Sequence, residues 1–448
     1  MRTVESFLND IESLNPARPM LLQTVEEVAR SVWPRLHQEP EWQEALVLER
    51  LIEPDRSVSF RVVWETDDGE LRMDRGFRVQ QSNVLGPYKG GLRFSPGVTP
   101  DDFRFLAFEQ TFKNALTGLP LGAGKGGATF EPKGKSDREV MRFCQSFMTE
   151  LHRHIGPSRD VPAGDIGVGQ REIGFLYGAY RRLELAGAGV LTGKQPGWGG
   201  IPLRAEATGY GLVYLLREAL RRHDRDLDGM RVAISGAGNV ATHAAEKVCE
   251  LGGTVISMSS SKGTAFIQDG FSKDELGRVV EALRDGERLE DLAGDRVARM
   301  TFQRGAKPWG LDDVNVALPC ATQNEMDVDD AKALLGGDHL AAIAEGANMP
   351  LTSDATRAVR ERREVVYLPG KAANAGGVSI SGLEMAQNAQ RIPWTRASVD
   401  EALQARMSHI HERCVACSDR DRPVDYVVGA NVAALERLAE ATMAQGFA

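Results

Sequence analysis

The stretch MRVAISGAGNVATHAAEKVCELGGTVISMSS, residues 230–260, constrains the fold more than any other part of the chain. An apolar run that reads as a strand ends at Gly236, a helical pattern opens at Asn239, and a second apolar run follows Gly252 and Gly253. This is a βαβ unit, and it predicts a parallel sheet. Gly236, Gly238 and Ala241 form the variant G-x-G-x-x-A. The first glycine permits a tight turn, the second lets backbone approach a pyrophosphate, and the alanine lets helix and strand pack closely. Asn239 and Val240 then open a helix whose unpaired N–H groups face the anion. The motif predicts a dinucleotide site, with a glycine turn that binds nothing as the structural alternative.

The end of the second strand bears on the choice of nicotinamide cofactor. An acid about 20 residues after the fingerprint would bind a ribose 2′-hydroxyl and repel a 2′-phosphate. None is there: the chain reads Ser259, Ser260, Ser261, Lys262, and the next acid is Asp269. NADP is favoured over NAD, although Lys262 also reads as an ordinary solvated turn residue.

A chain of 448 residues is too long for one ordinary core. The expected fold class is α/β, with an N-terminal α/β substrate domain over residues 1–200 and a Rossmann-like domain over 201–375. An active-site cleft lies between them, and C-terminal helices over 376–448 bridge the two. Hydrophobic residues at 42% and charged residues at 26% exclude disordered and collagen-like classes. A formal charge of −9 gives no broad footprint for nucleic acid or an anionic membrane. Without an apolar core in MRTVESFLND or a long apolar run elsewhere, the expected compartment is the cytoplasm.

The five cysteines are scattered and odd in number, which suits reduced thiols; Cys414 and Cys417, a lone C-x-x-C, read as two thiols on a helix. The histidines of His152–His154 and His409–His411 stand two apart and share no helical face, so no metal site is expected.

Before the βαβ unit, Val4, Phe7, Leu8 and Ile11 have helical spacing, and SVSFRVVWETDDGELRMDRGFRVQQS alternates about a turn at Asp67-Asp68-Gly69. Thr99, Pro100 and two aspartates start a helix that stops at Gly118. Residues 189–203, rich in glycine, are the expected hinge. After the βαβ unit, apolar runs continue the parallel sheet to about residue 375. The rest reads as helices with a polar break at CSDRDRPVD.

Three lysines recur among small residues. Lys89 lies beside Gly86, Gly90 and Gly91, and Lys125 lies among Gly122, Gly124, Gly126 and Gly127. Lys113 shares a helix face with Phe103, Leu106 and Gln110, so two polar residues continue an apolar stripe. Lys125 cannot belong to a phosphate-binding P-loop, because Leu119 and Gly126 stand where glycine and Ser or Thr are required. A lysine in a dry pocket near other cations can take up a proton near neutral pH, which makes Lys125 a candidate general base. Asp165 in DVPAGDIGVG is the candidate partner carboxylate. A glycine–lysine turn with a purely structural role is the alternative.

Taken together, GPYKGGLRFSPGV, LGAGKGGATF, DVPAGDIGVG, EATGYG, LPCATQNE, AEGANMP and PGKAANAGGVSISGLEMAQN closely resemble the hexameric glutamate dehydrogenases, particularly the NADP-dependent type. The likeness runs from about residue 50 to the C-terminus. It implies reversible oxidative deamination of L-glutamate to 2-oxoglutarate and ammonium in a homohexamer. Lys125 is then the base and Asp165 its proton-transfer partner. Lys89 and Ser381 bind the side-chain carboxylate in a pocket lined by Val378, while Gln110, Lys113 and the backbone at Gly164 hold the α-carboxylate and amino end. Thr208, Gly236, Gly238, Asn239, Val240, Ser260 and Lys262 hold the cofactor. Asn348 and Asn374 lie near nicotinamide and substrate, and Lys133 matches a position that reaches the 2′-phosphate in some relatives. The chain departs from the pattern at Ile201, Pro202 and Ala205. Relatives that act on leucine, phenylalanine or valine carry an apolar side-chain pocket instead of Lys89 and Ser381. A catalytically silent NADP-binding regulator is the reading from another class.

Overall fold

A computed structural model describes residues 2–185, 189–294, 296–337, 339–419 and 424–446. It divides into two compact units, one of Met1–Arg204, Val378–Val399 and Asn431–Ala448, the other of Ala205–Gly377 and Asp400–Ala430. The helices Gly376–Gln390, Arg396–Ala416 and Tyr426–Gln445 each run across a unit boundary. Part of the polar break, residues 420–423, falls outside the described residues.

The first unit is built on a sheet of β1 (Arg56–Glu65), β2 (Leu71–Ser82), β3 (Tyr88–Phe94), β4 (Ala123–Ala128) and β5 (Asp160–Gly164), in spatial order β1-β2-β4-β3-β5. The alternating sequence of β1 buries Val62 and Trp64 and turns through Asp67–Gly69 into β2, its antiparallel partner. β3 runs parallel to both β4 and β5. The strands β3 and β4 are poor in β-formers, YKGGLRF and AGKGGA, and are held by their neighbours rather than by propensity. Helix Asp137–Leu151 covers the sheet with Phe143 and Phe147, and Phe130 stacks on Phe143 at 3.7 Å between ring centroids.

Helix Pro100–Leu116 begins at Thr99, whose hydroxyl accepts from the Asp102 N–H while the Asp102 carboxylate accepts from the Thr99 N–H. This capping box is the start that Thr99, Pro100 and the aspartates predict. Seventeen residues long and buried over most of its surface, the helix carries Gln110, Lys113 and Asn114 inward.

The second unit holds a sheet of order β12-β11-β10-β6-β7-β8-β9, made of β6 (Arg231–Ile234), β7 (Thr254–Ser260), β8 (Gly263–Phe266), β9 (Thr301–Arg304), β10 (Val316–Leu318), β11 (Ala342–Ala344) and β12 (Val366–Leu368). The βαβ unit is present, with β6, helix Asn239–Glu250 and parallel β7. From β12 to β7 every pairing is parallel. The sheet departs from expectation at its other edge, where β8 and β9 run antiparallel. The two-residue turn Ser261-Lys262 reverses the chain there, and four-residue strands carry too little periodicity to be read in advance. The parallel strands also stop earlier than residue 375, at Leu368. Among the described residues, no helix is long and apolar enough to cross a membrane.

Candidate active site

In the first unit, the glycines around Lys125 serve strand packing. A Cβ on Gly126 would lie 2.4 Å from the Phe77 carbonyl oxygen, and one on Gly90 would lie 1.8 Å from that of Gly124. Only glycine lets β2, β4 and β3 approach so closely, and between Gly124 and Gly126 the lysine side chain is the one group that leaves the strand. Lys125 is 5% exposed, and its Nζ meets the Asp165 carboxylate at 2.7 Å, just past the end of β5. Gly91 makes room for this contact, since a Cβ there would stand 2.8 Å from the Asp165 Cβ.

Asp165 has a second cationic neighbour, Arg93 of β3, at 3.4 Å. Burial alone pushes the Asp165 carboxyl up, but Lys125 and then Arg93 outweigh it and lower its pKa to about 2. The carboxylate is therefore ionised at rest and sets a fixed anion beside Lys125.

Lys89, on β3, is buried at 1% exposure, and its ammonium donates to the Thr192 hydroxyl at 2.8 Å. Burial, followed by the nearby charge of Arg204, holds its pKa well below the usual lysine value. Arg204 donates through Nε to the Ser381 hydroxyl at 3.0 Å, and burial lowers its own pKa. Lysine, arginine, serine and threonine thus line a pocket in which, among the described residues, no carboxylate is found in contact with Lys89, an arrangement suited to an incoming carboxylate. Glu384, fully buried, fixes the wall: it accepts from the backbone N–H of Gly193 and Lys194 at 2.9 and 3.4 Å and pairs with the Lys194 ammonium at 2.8 Å.

Gln110 donates to Asn114 at 2.6 Å, and Asn114 in turn donates to the carbonyls of Lys89 and Gly122. This chain ties the helix to the two lysine-bearing segments. Lys113 is 9% exposed on the same helix. Gly164 ends β5, and Val378 is half-buried at the return of the chain to this unit. Lys133 is exposed on a loop after β4, its N–H donating to the Glu131 carboxylate.

Beneath the lysine pocket, Arg78 and Asp160 form a fully buried ion pair, with Arg78 Nε donating at 2.9 Å and Gln80 adding a bond at 3.0 Å. Thr192, Arg204, Arg93 and Glu384 were not singled out by sequence. Thr192 lies in the glycine-rich segment read as a hinge, and Arg93 lies four residues beyond Lys89 in the same quoted motif. A charged residue inside a glycine-rich motif is the signal that could have found Arg93.

The second unit carries the cofactor candidates other than Lys133. Gly236 has φ of +90° and its N–H donates to the Ser259 hydroxyl at 3.0 Å, which fastens the end of β7 to the glycine turn. Gly238 caps helix Asn239–Glu250 and has open space where a Cβ would stand, so a ligand can approach the backbone. Asn239 is exposed and Val240 half-buried on the first turn, while Ala241 is fully buried. Thr208 lies on helix Ala207–Arg222, whose Gly209 sits against the backbone of this helix; a Cβ there would be 2.6 Å from the Ala244 nitrogen. Asn374 donates to Asn348 at 3.0 Å and to the Ala347 carbonyl at 3.1 Å, and its own buried Oδ1 has no partner. An anion-facing helix start, an open glycine and an orphaned acceptor fit a pyrophosphate and a carboxamide donor. No group of His, Cys, Asp and Glu among the described residues is arranged to hold a metal ion.

The family described as Glutamate/Leucine/Phenylalanine/Valine dehydrogenase matches residues 199–446, and the Glu/Leu/Phe/Val dehydrogenase dimerisation domain matches residues 54–182. The NADP-specific glutamate dehydrogenase of Escherichia coli strain K12 is 50% identical over 446 residues, 99% of this chain and 98% of that protein. The NAD-specific glutamate dehydrogenase of Bacteroides fragilis is 45% identical over 445 residues, 99% of each. Among solved structures, Plasmodium falciparum glutamate dehydrogenase superposes with a TM-score of 0.94 at 43% identity, covering 99% of this chain and 94% of that one.

Proposed function

Because the chain belongs to the glutamate/leucine/phenylalanine/valine dehydrogenase family, we propose that it is a glutamate dehydrogenase that interconverts L-glutamate and 2-oxoglutarate with NADP(H). The balanced oxidation consumes L-glutamate, water and NADP⁺ and yields 2-oxoglutarate, ammonium, NADPH and a proton. The observation that carries the reading is the pair of buried Lys125 with partly exposed Asp165, in the same unit as the Lys89, Arg204, Ser381 and Thr192 pocket.

Lys89, assisted by Ser381 and Arg204, receives the side-chain carboxylate, with Val378 against its methylenes. Gln110, Lys113 and the backbone at Gly164 receive the α-carboxylate and amino group. The bound dinucleotide would supply the hydride acceptor for the α-carbon. Lys125 then acts as general base on the water that adds to the resulting iminium carbon. Asp165, ionised at rest, takes the proton onward. Expulsion of ammonia leaves the keto acid. Thr208, Gly236, Gly238, Asn239 and Val240 form the dinucleotide cradle, with Asn374 and Asn348 at the nicotinamide end and Lys133 as a further cation for the 2′-phosphate.

Two cations in the side-chain pocket favour a dicarboxylic substrate over leucine, phenylalanine or valine, because an apolar side chain would leave both uncompensated. Relatives at 50% identity are NADP-specific and one at 45% is NAD-specific, a ranking that supports NADP. Ser260 and Lys262 with no acid at the end of β7 favour NADP. The assembly proposed is a homohexamer, supported by exposed Leu71 (74%) and Met73 (66%) on the β1–β2 hairpin within the match to the dimerisation domain. An odd, scattered set of cysteines supports a cytoplasmic setting.

The test is oxidation of NADPH and of NADH in the presence of 2-oxoglutarate and ammonium, alongside oxidation of glutamate, leucine and phenylalanine. Turnover with leucine alone would overturn the substrate assignment, and a strong NADH preference would overturn the cofactor assignment. No turnover at all would favour the silent regulator. Sedimentation of the native protein checks the hexamer.

A further inference from the structure

The antiparallel edge of the second sheet places a residue that neither sequence motif nor family match singles out. Ser260 of β7 pairs with Gly263 of β8, and Gly263 pairs with Arg304 of β9. Directly opposed residues in antiparallel strands share a face. Ser260, Gly263 and Arg304 therefore form one row across three strands, with its outer members roughly 10 Å apart. The middle position has no side chain, and a Cβ there would strike the Gln303 carbonyl at 2.2 Å. The row is thus a trough with a hydroxyl at one side and a guanidinium at the other.

Lys262 stands at the tip of the same turn. Its carbonyl accepts from the Gly305 N–H at 2.9 Å, locking the turn to the residue after Arg304. The Ser260 hydroxyl oxygen accepts from the Lys262 N–H at 3.2 Å, which leaves its own O–H free to donate outward. Arg304 and Lys262 are both exposed, and among the described residues no side-chain partner is found for either. The neighbouring cation Lys307 is different: it is paired with Asp327 and Asp330 beside a cavity of about 470 Å³ on the face shared by Thr264 and Gln303. Arg304 points to the opposite face by strand alternation.

The end of β7 is where this fold brings the adenosine ribose. We infer that Arg304 is a specificity-determining residue, forming with Ser260 and Lys262 a three-point site for the phosphomonoester dianion on the ribose 2′-oxygen. A guanidinium presents a fork of donors to phosphate oxygens, lysine adds a point charge, and serine adds a directed donor. The inference rests on the proposed use of NADP(H), and assigns to that choice a residue more than forty positions beyond the turn in sequence.

The test is calorimetric binding of 2′,5′-ADP, 5′-AMP and inorganic phosphate to the full-length protein and to Arg304→Gln and Arg304→Lys. Arg304→Gln should weaken 2′,5′-ADP by about tenfold or more, the loss of a hydrogen bond to a charged group, and leave 5′-AMP unchanged. Arg304→Lys should fall between. Unchanged 2′,5′-ADP affinity in Arg304→Gln, or equal loss for 5′-AMP, would overturn the assignment. So would inorganic phosphate that binds the native protein as tightly as 2′,5′-ADP. A native protein that binds 2′,5′-ADP no better than 5′-AMP would instead refute the NADP reading itself.

Discussion

Replacing Gly90 by alanine should disable the enzyme far more than it destabilises the fold. The new Cβ would stand 1.8 Å from the Gly124 carbonyl oxygen. Ordinary contact at about 3.4 Å then requires β3 and β4 to separate by roughly 1.6 Å, because a backbone carbonyl in a strand cannot rotate away as a flexible side chain can. Gly90 follows Lys89, and Gly124 precedes Lys125. The displacement therefore acts on the carboxylate-binding lysine and the proposed base together. Overpacking of this kind costs about 1–3 kcal/mol, or a fall of roughly 2–12 °C in Tm for a unit of this size. A misplacement of about 1 Å at reacting groups is enough for a loss on the order of 100-fold in kcat/KM. Steady-state kinetics with 2-oxoglutarate, ammonium and NADPH, paired with a thermal melt, measures both. Gly97→Ala is the control, since a Cβ there meets nothing within 4 Å, and it should change neither quantity. Wild-type kcat/KM in Gly90→Ala would refute the claim that these glycines set the spacing of the two lysines.

Lys125→Ala should lose about 100- to 10,000-fold in turnover, the usual range for a general base, while fluorescence titration shows NADPH still bound; retained turnover would return Lys125 to a structural role. Burial holds the Lys89 pKa low, and an incoming carboxylate raises it, so glutamate binding should become linked to proton uptake as pH rises through the pKa of the empty site. Calorimetry in two buffers of different ionisation enthalpy reads this, and Lys89→Met should abolish the difference. Asp165 has its pKa lowered from 3.8 to about 2, so the stability it contributes is present above pH 4 and disappears as pH falls towards 2. That is on the order of 2 kcal/mol, and Asp165→Asn should flatten this part of the acid denaturation curve. Asp160→Asn leaves the Arg78 charge buried without its counter-ion and should destabilise the protein by about 3–5 kcal/mol in urea unfolding.

Legibility in the sequence followed locality. The βαβ unit could be read because strand, turn and helix lie within thirty residues and each glycine has a separate geometric reason. The helix from Pro100 was legible from Thr99 and Asp102 for the same reason: its cap is built from side chains three residues apart. The first sheet was not. AGKGGA and YKGGLRF lack the β-branched residues that announce strands, and their pairing is decided by contacts as distant as Lys89 with Val161. The antiparallel strands β8 and β9 escaped because a Ser-Lys turn that reads as a cofactor loop is also a hairpin turn. Lys125 and Asp165 could be named from their motifs, but Thr192 could not. Its meaning depends on Glu384, which is distant in sequence and folds the intervening segment against Lys89.

The split of the first unit among three stretches of chain bears on its synthesis. Lys194 and Glu384 are each fully buried and are separated by 190 residues. Until the ribosome has added residue 384 and its neighbours, the lysine has no counter-ion and must remain hydrated, so the Thr192 wall cannot close over Lys89. The unit that begins first along this sequence thus needs pieces that follow the second unit, from Asn431 onward. A nascent chain stalled anywhere before residue 384 should have a protease-sensitive segment around residues 190–200, even where the second unit has largely emerged.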